Sequence, residues 1–240
     1  MIRTTSFNIF FPPILNVREL IFKLENDLSE YFVKPFNLFP LPNEAPPEFP
    51  RISASSHHGY TTLNISINSA QIVTNYDANF SNDWSKCEAY IKDRIYKVYD
   101  LLSPHFSNRL LFCGLTTDLL IETHEITAIQ QIKESFFKLE HEEPFDLSCR
   151  VTFVKDSKYY LNYLIQNQRL SSPSAVSGIP MKLIENEHQI EVNLDINDRY
   201  ALNYDPHYIS SKAAMDKILE ITREIITKKI DKIVFDGRFD

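Results

Sequence analysis

The chain has 240 residues, 43% hydrophobic and 24% charged, an ordinary globular composition that excludes global disorder and needs no disulfide staples. Lys and Arg total 25 against 32 Asp and Glu, and the net charge of −7 argues against non-specific nucleic-acid binding. The 4 glycines, Gly59, Gly114, Gly178 and Gly237, stand far apart, so no glycine-rich phosphate loop can be built and the standard nucleotide-binding motifs are excluded.

Cys87, Cys113 and Cys149 form no C-x-x-C and each sits in an apolar stretch, which reads as buried free thiols in a reducing compartment. The opening residues lack the charged and apolar regions of a signal peptide, and no window approaches the ~18 apolar residues of a membrane span. A cytoplasmic protein is expected.

Ser6–Phe11 predicts a strand closed by Pro12-Pro13. A helix follows from Asn16, with Glu19 as capping-box partner and Val17, Leu20, Ile21, Leu24 and Leu28 on one face, ending near Tyr31. Residues 34–50 carry 6 prolines interleaved with Phe36, Leu38, Phe39, Leu41 and Phe49, the pattern of an extended, polyproline-like strap lying on the body of the protein. A hairpin is expected from Arg51–Ser56 and Tyr60–Ile67 around His57-His58-Gly59, then a strand over Gln71–Tyr76.

Trp84, Cys87, Ile91, Ile95, Val98 and Leu102 recur at helical spacing and predict a helix over Ser81–Leu102 packed on a sheet. Leu110–Ile121 reads as buried strand, and Thr123 as the cap of a helix over Glu125–Glu140. Phe145–Val154 and Tyr159–Gln168 predict a hairpin around Lys155-Asp156-Ser157-Lys158, followed by a Ser/Pro loop over Ser171–Pro180. Met181–Ile184 and Gln189–Ile196 predict strands, and Tyr208–Lys229 a long helix, which Ile230–Phe235 either continues or follows as a terminal strand.

Ile65–Asp77 and residues 194–205 echo each other, both ending in Asn-Tyr-Asp before a long helix. The expectation is an α+β fold of two β-rich halves, 1–122 and 123–240, mainly antiparallel, each ending in a long helix on the sheet. The halves would be an internal duplication within one compact unit.

Phe11-Pro12, Pro50-Arg51, the Asn64–Asp77 hairpin with Trp84, and Val192-Asn193-Leu194-Asp195-Ile196 before the last helix follow one another along the chain. This order of parts resembles a sporadically distributed family of uncharacterised bacterial proteins of similar length. That family usually has an Arg-Tyr-x-Asn-like strand where this chain has Leu115-Thr116-Thr117-Asp118. The resemblance implies no catalytic residues; by analogy it suits an accessory role in defence or toxin control.

No chemistry is declared by the remaining motifs. Adjacent His57 and His58 point to opposite faces of a strand or splay at a turn, and the Glu122, His124 and Glu125 group and His141, Glu142 and Glu143 lack the spacing that places two ligands on one helix face, so no metal is expected. Cys113 has only apolar neighbours and no Gly-x-Ser-x-Gly elbow exists. Tyr159, Tyr160 and Tyr163 could stack bases, but the acidic balance argues against nucleic acid. The reading is a non-enzymatic cytoplasmic binding or assembly protein with a protein partner and no cofactor. Phe36, Phe39 and Phe49 are its candidate binding residues, expected to be buried as anchors of the strap. A homodimer is expected, because the charge-free run Tyr159–Ile165 must be either interior to a sheet or paired across subunits, with this hairpin or the last helix at the interface. The alternative is a hydrolase or nuclease with Asp77, Asp195 and Asp205 gathered in one pocket.

Overall fold

Strand Ile2–Phe10 (β1) alternates buried Thr5, Phe7 and Ile9 with half-exposed Thr4, Ser6 and Asn8, the period of a strand with one face in a core and one in water. The same alternation runs through Ile52–Ser55 (β3), Thr61–Ile65 (β4) and Ser69–Asn75 (β5), and Phe112–Glu122 (β6), Ser148–Lys155 (β7), Tyr159–Ser172 (β8) and Lys182–Asn197 (β9) are the remaining long strands. With Asn37–Leu38 (β2) they form one antiparallel sheet in the order β2-β3-β4-β5-β1-β6-β9-β8-β7. The computed structural model describes residues 1–42, 44–107, 109–139, 144–172 and 182–240.

Helices Ile21–Asp27 (α1), Trp84–Leu102 (α2), Ala128–Phe136 (α3), Arg199–Tyr204 (α4), Lys212–Glu224 (α5) and Ile230–Asp236 (α6) complete the chain. The whole α2 stripe from Trp84 to Leu102 is buried, as its spacing predicts. On α5, Ala214, Met215, Ile218, Leu219 and Ile221 are buried, and with Phe7, Ile72, Leu115 and Leu194 they belong to one continuous core on the inner sheet face. Glu88 on α2 and Arg223 on α5 tie the two helices with a bidentate ion pair, whose Arg223 Nε to Glu88 Oε2 arm is 2.7 Å.

The two sides of the β1–β6 pair repeat one order of parts. On one side β1 and α1 lead through the meander β3-β4-β5 to α2, and β1 pairs with β5. On the other β6 and α3 lead through β7-β8-β9 to α5, and β6 pairs with β9. The Asn-Tyr-Asp segments do not occupy equivalent places: Asn75 ends β5, whereas Asn203 and Tyr204 close α4, a helix the spacing does not predict.

Several local expectations are corrected. The first helix begins as a 3₁₀ turn over Val17–Leu20, and Asn16 donates its amide to Glu19 Oε2 at 3.1 Å in place of capping a backbone N–H. The capping box of α3 is Thr127 with Gln130, and not Thr123, because Thr127 is the residue with extended backbone before the first helical turn. The two C-terminal strands are one, β9. Of the two readings for Ile230–Phe235 the helical one holds: it continues the last helix through a π-helical segment, Ile225–Lys229. Of the expected Ser/Pro loop, Ser171 and Ser172 extend β8, and residues 173–181 lie outside the described residues, as do His141, Glu142 and Glu143.

The strap divides. Phe36 is buried at 5% exposure, packed edge-on to Phe32 at 6.3 Å, but Phe39 and Phe49 are 40% and 48% exposed. Asn37–Leu38 pairs with β3, and the Phe39 N–H bonds Arg51 O at 2.9 Å, so the segment adds a short edge strand that turns Phe39 outward. Buried Arg51 holds the prolyl turn from inside: Nη1 donates to Phe49 O at 3.0 Å, and Nη2 to Ala45 O at 2.9 Å and Pro46 O at 3.3 Å. Tyr159–Ile165 lies in β8 between β9 and β7, interior to the sheet, and β7 is the long edge strand.

Candidate functional site

The outer sheet face is built by the polar phase of the alternation. One row of neighbours runs Ser53, Asn64, Gln71, Asn8, Gly114, Asn197, Tyr160, Val154. The next runs Ser55, Thr62, Val73, Ser6, Thr116, Asp195, Asn162, Thr152, and a third Asn75, Thr4, Asp118, Asn193, Leu164, Arg150. The members on β1 and β9 are all half-exposed.

Side chains link across this face. Gln71 Nε2 donates to Ser6 Oγ at 3.1 Å, Asn193 Nδ2 to Asp118 Oδ1 at 2.6 Å, and Asp195 Oδ2 accepts from Asn162 at 2.9 Å and Asn197 at 3.0 Å. Such cross-strand pairing fixes amide orientations and presents a pre-set pattern of donors and acceptors. From β3 to β7 the face spans seven strand spacings, roughly 34 Å, and three rows give roughly 20 Å of height. The product, ~680 Å², falls within what one partner contributes to a standard protein–protein interface.

An aromatic rim closes one end. Phe10 and Phe112 are stacked with centroids 4.1 Å apart, and the Arg199 guanidinium lies 5.5 Å from the Phe112 centroid. Beyond it Tyr160 meets Tyr200 at 5.3 Å, and Tyr200 meets Tyr204 at 4.5 Å. Tyr204 is 69% exposed, and neighbouring Tyr160 holds its phenol above the usual range, by charge and by a hydrogen bond. Helix α4, which starts directly after β9, carries three of these groups to the rim.

Asp77, Asp195 and Asp205 are not gathered. Val73 and Asp195 share a row but lie three strand spacings apart, about 14 Å. Asp77 lies four residues further on, past the end of β5, and Asp205 follows α4 at the opposite end, because β5 and β9 run in opposite directions. Asp77 is held below the usual carboxylate range despite desolvation, by hydrogen bonds from Tyr60 and Asn79. Among the described residues no group of three His, Cys, Asp or Glu could hold a metal ion. Tyr159 and Tyr163 face the core; of the three tyrosines only Tyr160 is on the open face.

A buried polar cluster surrounds Asp198. Its Oδ1 accepts the Cys113 N–H at 2.7 Å, and its Oδ2 accepts the Tyr208 hydroxyl at 2.6 Å and the Ser210 hydroxyl. Burial pushes the Cys113 thiol well up, and the facing carboxylate adds to it, the reverse of an activated nucleophile. The cluster ties the start of β6 to the segment before α5.

The composition and charge of the open face escape a search for catalytic motifs. Its signal in the sequence is the polar phase of Asn193, Asp195 and Asn197, which alternates with Val192, Leu194 and Ile196. Among the described residues no helix is long and apolar enough to cross a membrane. No family model matches the chain, and a search of curated proteins finds no match.

Proposed function

We propose that this chain is a non-enzymatic binding or assembly protein that holds a protein partner on the open sheet face. The observation that supports it is the chemistry of that face: Ser, Thr, Asn and Gln over its floor, Tyr and Arg at its rim. Adaptable hydrogen-bonding groups beside rigid aromatic and Arg anchors are the composition that antibody binding sites use for protein recognition. Phe39 and Phe49, exposed beside the β2 edge, are secondary contacts in this reading, and Phe36 is not one. The proposal places the protein in the cytoplasm, takes the repeated order of parts as an internal duplication about the β1–β6 pair, and includes a homodimer. Membership in the bacterial family suggested by the order of parts would supply the setting, an accessory role in defence or toxin control. The test is the affinity of the captured partner for Arg199→Ala and Tyr204→Ala: each is expected to weaken binding about ten-fold or more without lowering stability, as anchor residues do. Unchanged affinity in both would remove the rim from the interface.

A further inference from the structure

Between the inner face of the β7–β8 hairpin and the end of α5 lies a cavity of about 240 Å³. Phe153 on β7 with Leu161 and Tyr163 on β8 form its sheet wall, and Ile221 and Ile225 its helix wall. Gly237, at φ +66°, turns the chain after α6 and brings Phe239 to the cavity, its ring centroid 5.2 Å from Phe153 and 5.2 Å from Tyr163. Ile225 and Lys229 reach the lining from the π-helical segment, where the Ile230 N–H bonds Ile225 O, one residue further back than in an α-helix; single π-helical turns recur at functional sites. Two features of this lining have no use within the chain. Tyr163 is 3% exposed, yet its hydroxyl has no hydrogen-bond partner among the described residues. Unlike the sealed Thr117 hydroxyl it keeps accessible surface, and the cavity is the open space that Tyr163 lines; a buried donor left unmet calls for an acceptor. Burial, and after it the charge of Glu224, push this phenol up to about 12, so it is a donor at neutral pH. The second feature is charge. Half-buried Glu224 takes both lysines of the lining, Lys229 Nζ at 3.1 Å and Lys155 Nζ at 3.6 Å, so these three groups sum to one positive charge. Each ammonium carries three donors and Glu224 engages one of each, while neighbouring Glu220 is taken by Lys217 at 2.9 Å.

We propose that this cavity is a binding site for a small aromatic monocarboxylate, one ring on a short acid arm. The ring fills the space between Phe153, Phe239 and Ile221, and the carboxylate accepts from the Tyr163 hydroxyl and from the spare ammonium donors of Lys155 and Lys229. An apolar cavity of ~150 Å³ takes one benzene ring, so this one admits a ring with a short arm. A neutral arene would leave the hydroxyl and the charge unmet, an arylamine would meet a positive edge, and a dianion would exceed the single charge on offer. The cavity lies on the inner side of the sheet, away from the open polar face, so it stands or falls separately from the reading above.

The probe is 3-phenylpropanoate, titrated into the full chain and followed by amide chemical shifts. Saturable shifts are expected, confined to the residues around Leu161, Ile221, Lys229 and Phe239. The amide of the same acid keeps the ring and loses the charge, and should bind at least about ten-fold more weakly. Tyr163→Phe removes a hydroxyl that bonds nothing in the chain, so it should leave the melting temperature unchanged and still weaken the acid about ten-fold. Lys229→Gln should weaken the acid and leave binding of its amide as it was. No saturable shift up to about 10 mM, equal binding of the acid and its amide, unchanged affinity for the acid in both variants, or shifts mapping elsewhere would overturn the proposal.

Discussion

Gly114 lies opposite Asn197 in the β6–β9 ladder, so close that a Cβ on Gly114 would meet the Asn197 Cβ at 2.7 Å. The missing side chain lets Asn197 lean over the strand, where its amide donates to Asp195 and its oxygen accepts the Arg199 N–H at 3.2 Å. One residue thereby joins the floor of the open face to its aromatic rim. Gly114→Ala must push either Asn197 or the backbone at Ile196 O, 3.3 Å away. A loss of about 1–3 kcal/mol is expected, read as a fall in melting temperature. A melting curve equal to that of the unsubstituted chain would show that the contact relaxes freely.

The three strap phenylalanines should separate in a stability measurement. Phe36→Ala removes a ring from the core beside Phe32 and should cost about 3–5 kcal/mol. Phe39→Ala and Phe49→Ala remove half-exposed rings and should each cost less than about 1 kcal/mol. Urea unfolding of the three variants distinguishes this division from a uniformly anchored strap, in which all three would fall together.

Asp198 predicts a pH dependence of known sign. Burial holds its native pKa above the ordinary carboxylate value, partly offset by hydrogen bonds from Ser210, Tyr208 and the Cys113 N–H. A raised native pKa contributes stability that is full below the unfolded value of about 3.9 and is lost as pH rises through the native value. Asp198→Asn does not titrate. The stability difference between the original chain and this variant should therefore be largest near pH ~4 and shrink as pH rises toward about 7. Urea unfolding across that range checks it; a difference that grows with pH would contradict the assignment.

The β7 edge makes the homodimer testable. Asn167 N–H bonds Leu147 O, so alternate residues of β7 from Leu147 point to β8, and Ser148, Arg150, Thr152 and Val154 turn their backbone groups outward. This edge has no proline, and Phe153 and Val154 are 41% and 46% exposed. The other edge, β2, has two residues and is followed by Pro40 and Pro42. Antiparallel pairing of two β7 strands about Val151 would set Val151 against its copy and keep the Arg150 side chains off each other. Light scattering should give twice the chain mass, and Thr152→Pro, which deletes an outward N–H, should return it to one. A single-chain mass for the unsubstituted protein would remove the dimer.

Local periodicity carried much of the fold. The α2 stripe from Trp84 to Leu102 and the β7–β8 hairpin around Asp156 are read from spacing and turn residues, because the helical period and the turn chemistry are local even where the packing partners are distant. What failed depends on distant contacts. Nothing near Phe7 states that it will face Leu115, so the joining of both halves into one sheet at β1–β6 is not legible. Nor does the Tyr159-Tyr160 pair state which ring faces the core; that is set by β9, where Ile196 lies inward and Asn197 outward. The rim escaped for a related reason. Arg199, Tyr200 and Tyr204 belong to α4, a helix too short for periodicity to reveal. The Asn203-Tyr204-Asp205 echo of Asn75-Tyr76-Asp77 is matched at its aspartates, since Asp77 and Asp205 each open a turn and accept the backbone N–H two residues on, but Asn203 and Tyr204 lie in a helix where Asn75 ends a strand.

The central claim is that the open polar face is the binding surface, and Thr116 stands at its middle, between Ser6 and Asp195. The direct measurement is quantitative affinity capture from the cells that encode the chain, with the unsubstituted protein and Thr116→Arg as matched baits. Arg at this position projects a long charged side chain from the floor without touching the core on the other face. The account predicts that proteins retained by the first bait are lost from the second, while the two baits melt at the same temperature within a few degrees. Equal retention of the same proteins by both baits would contradict it.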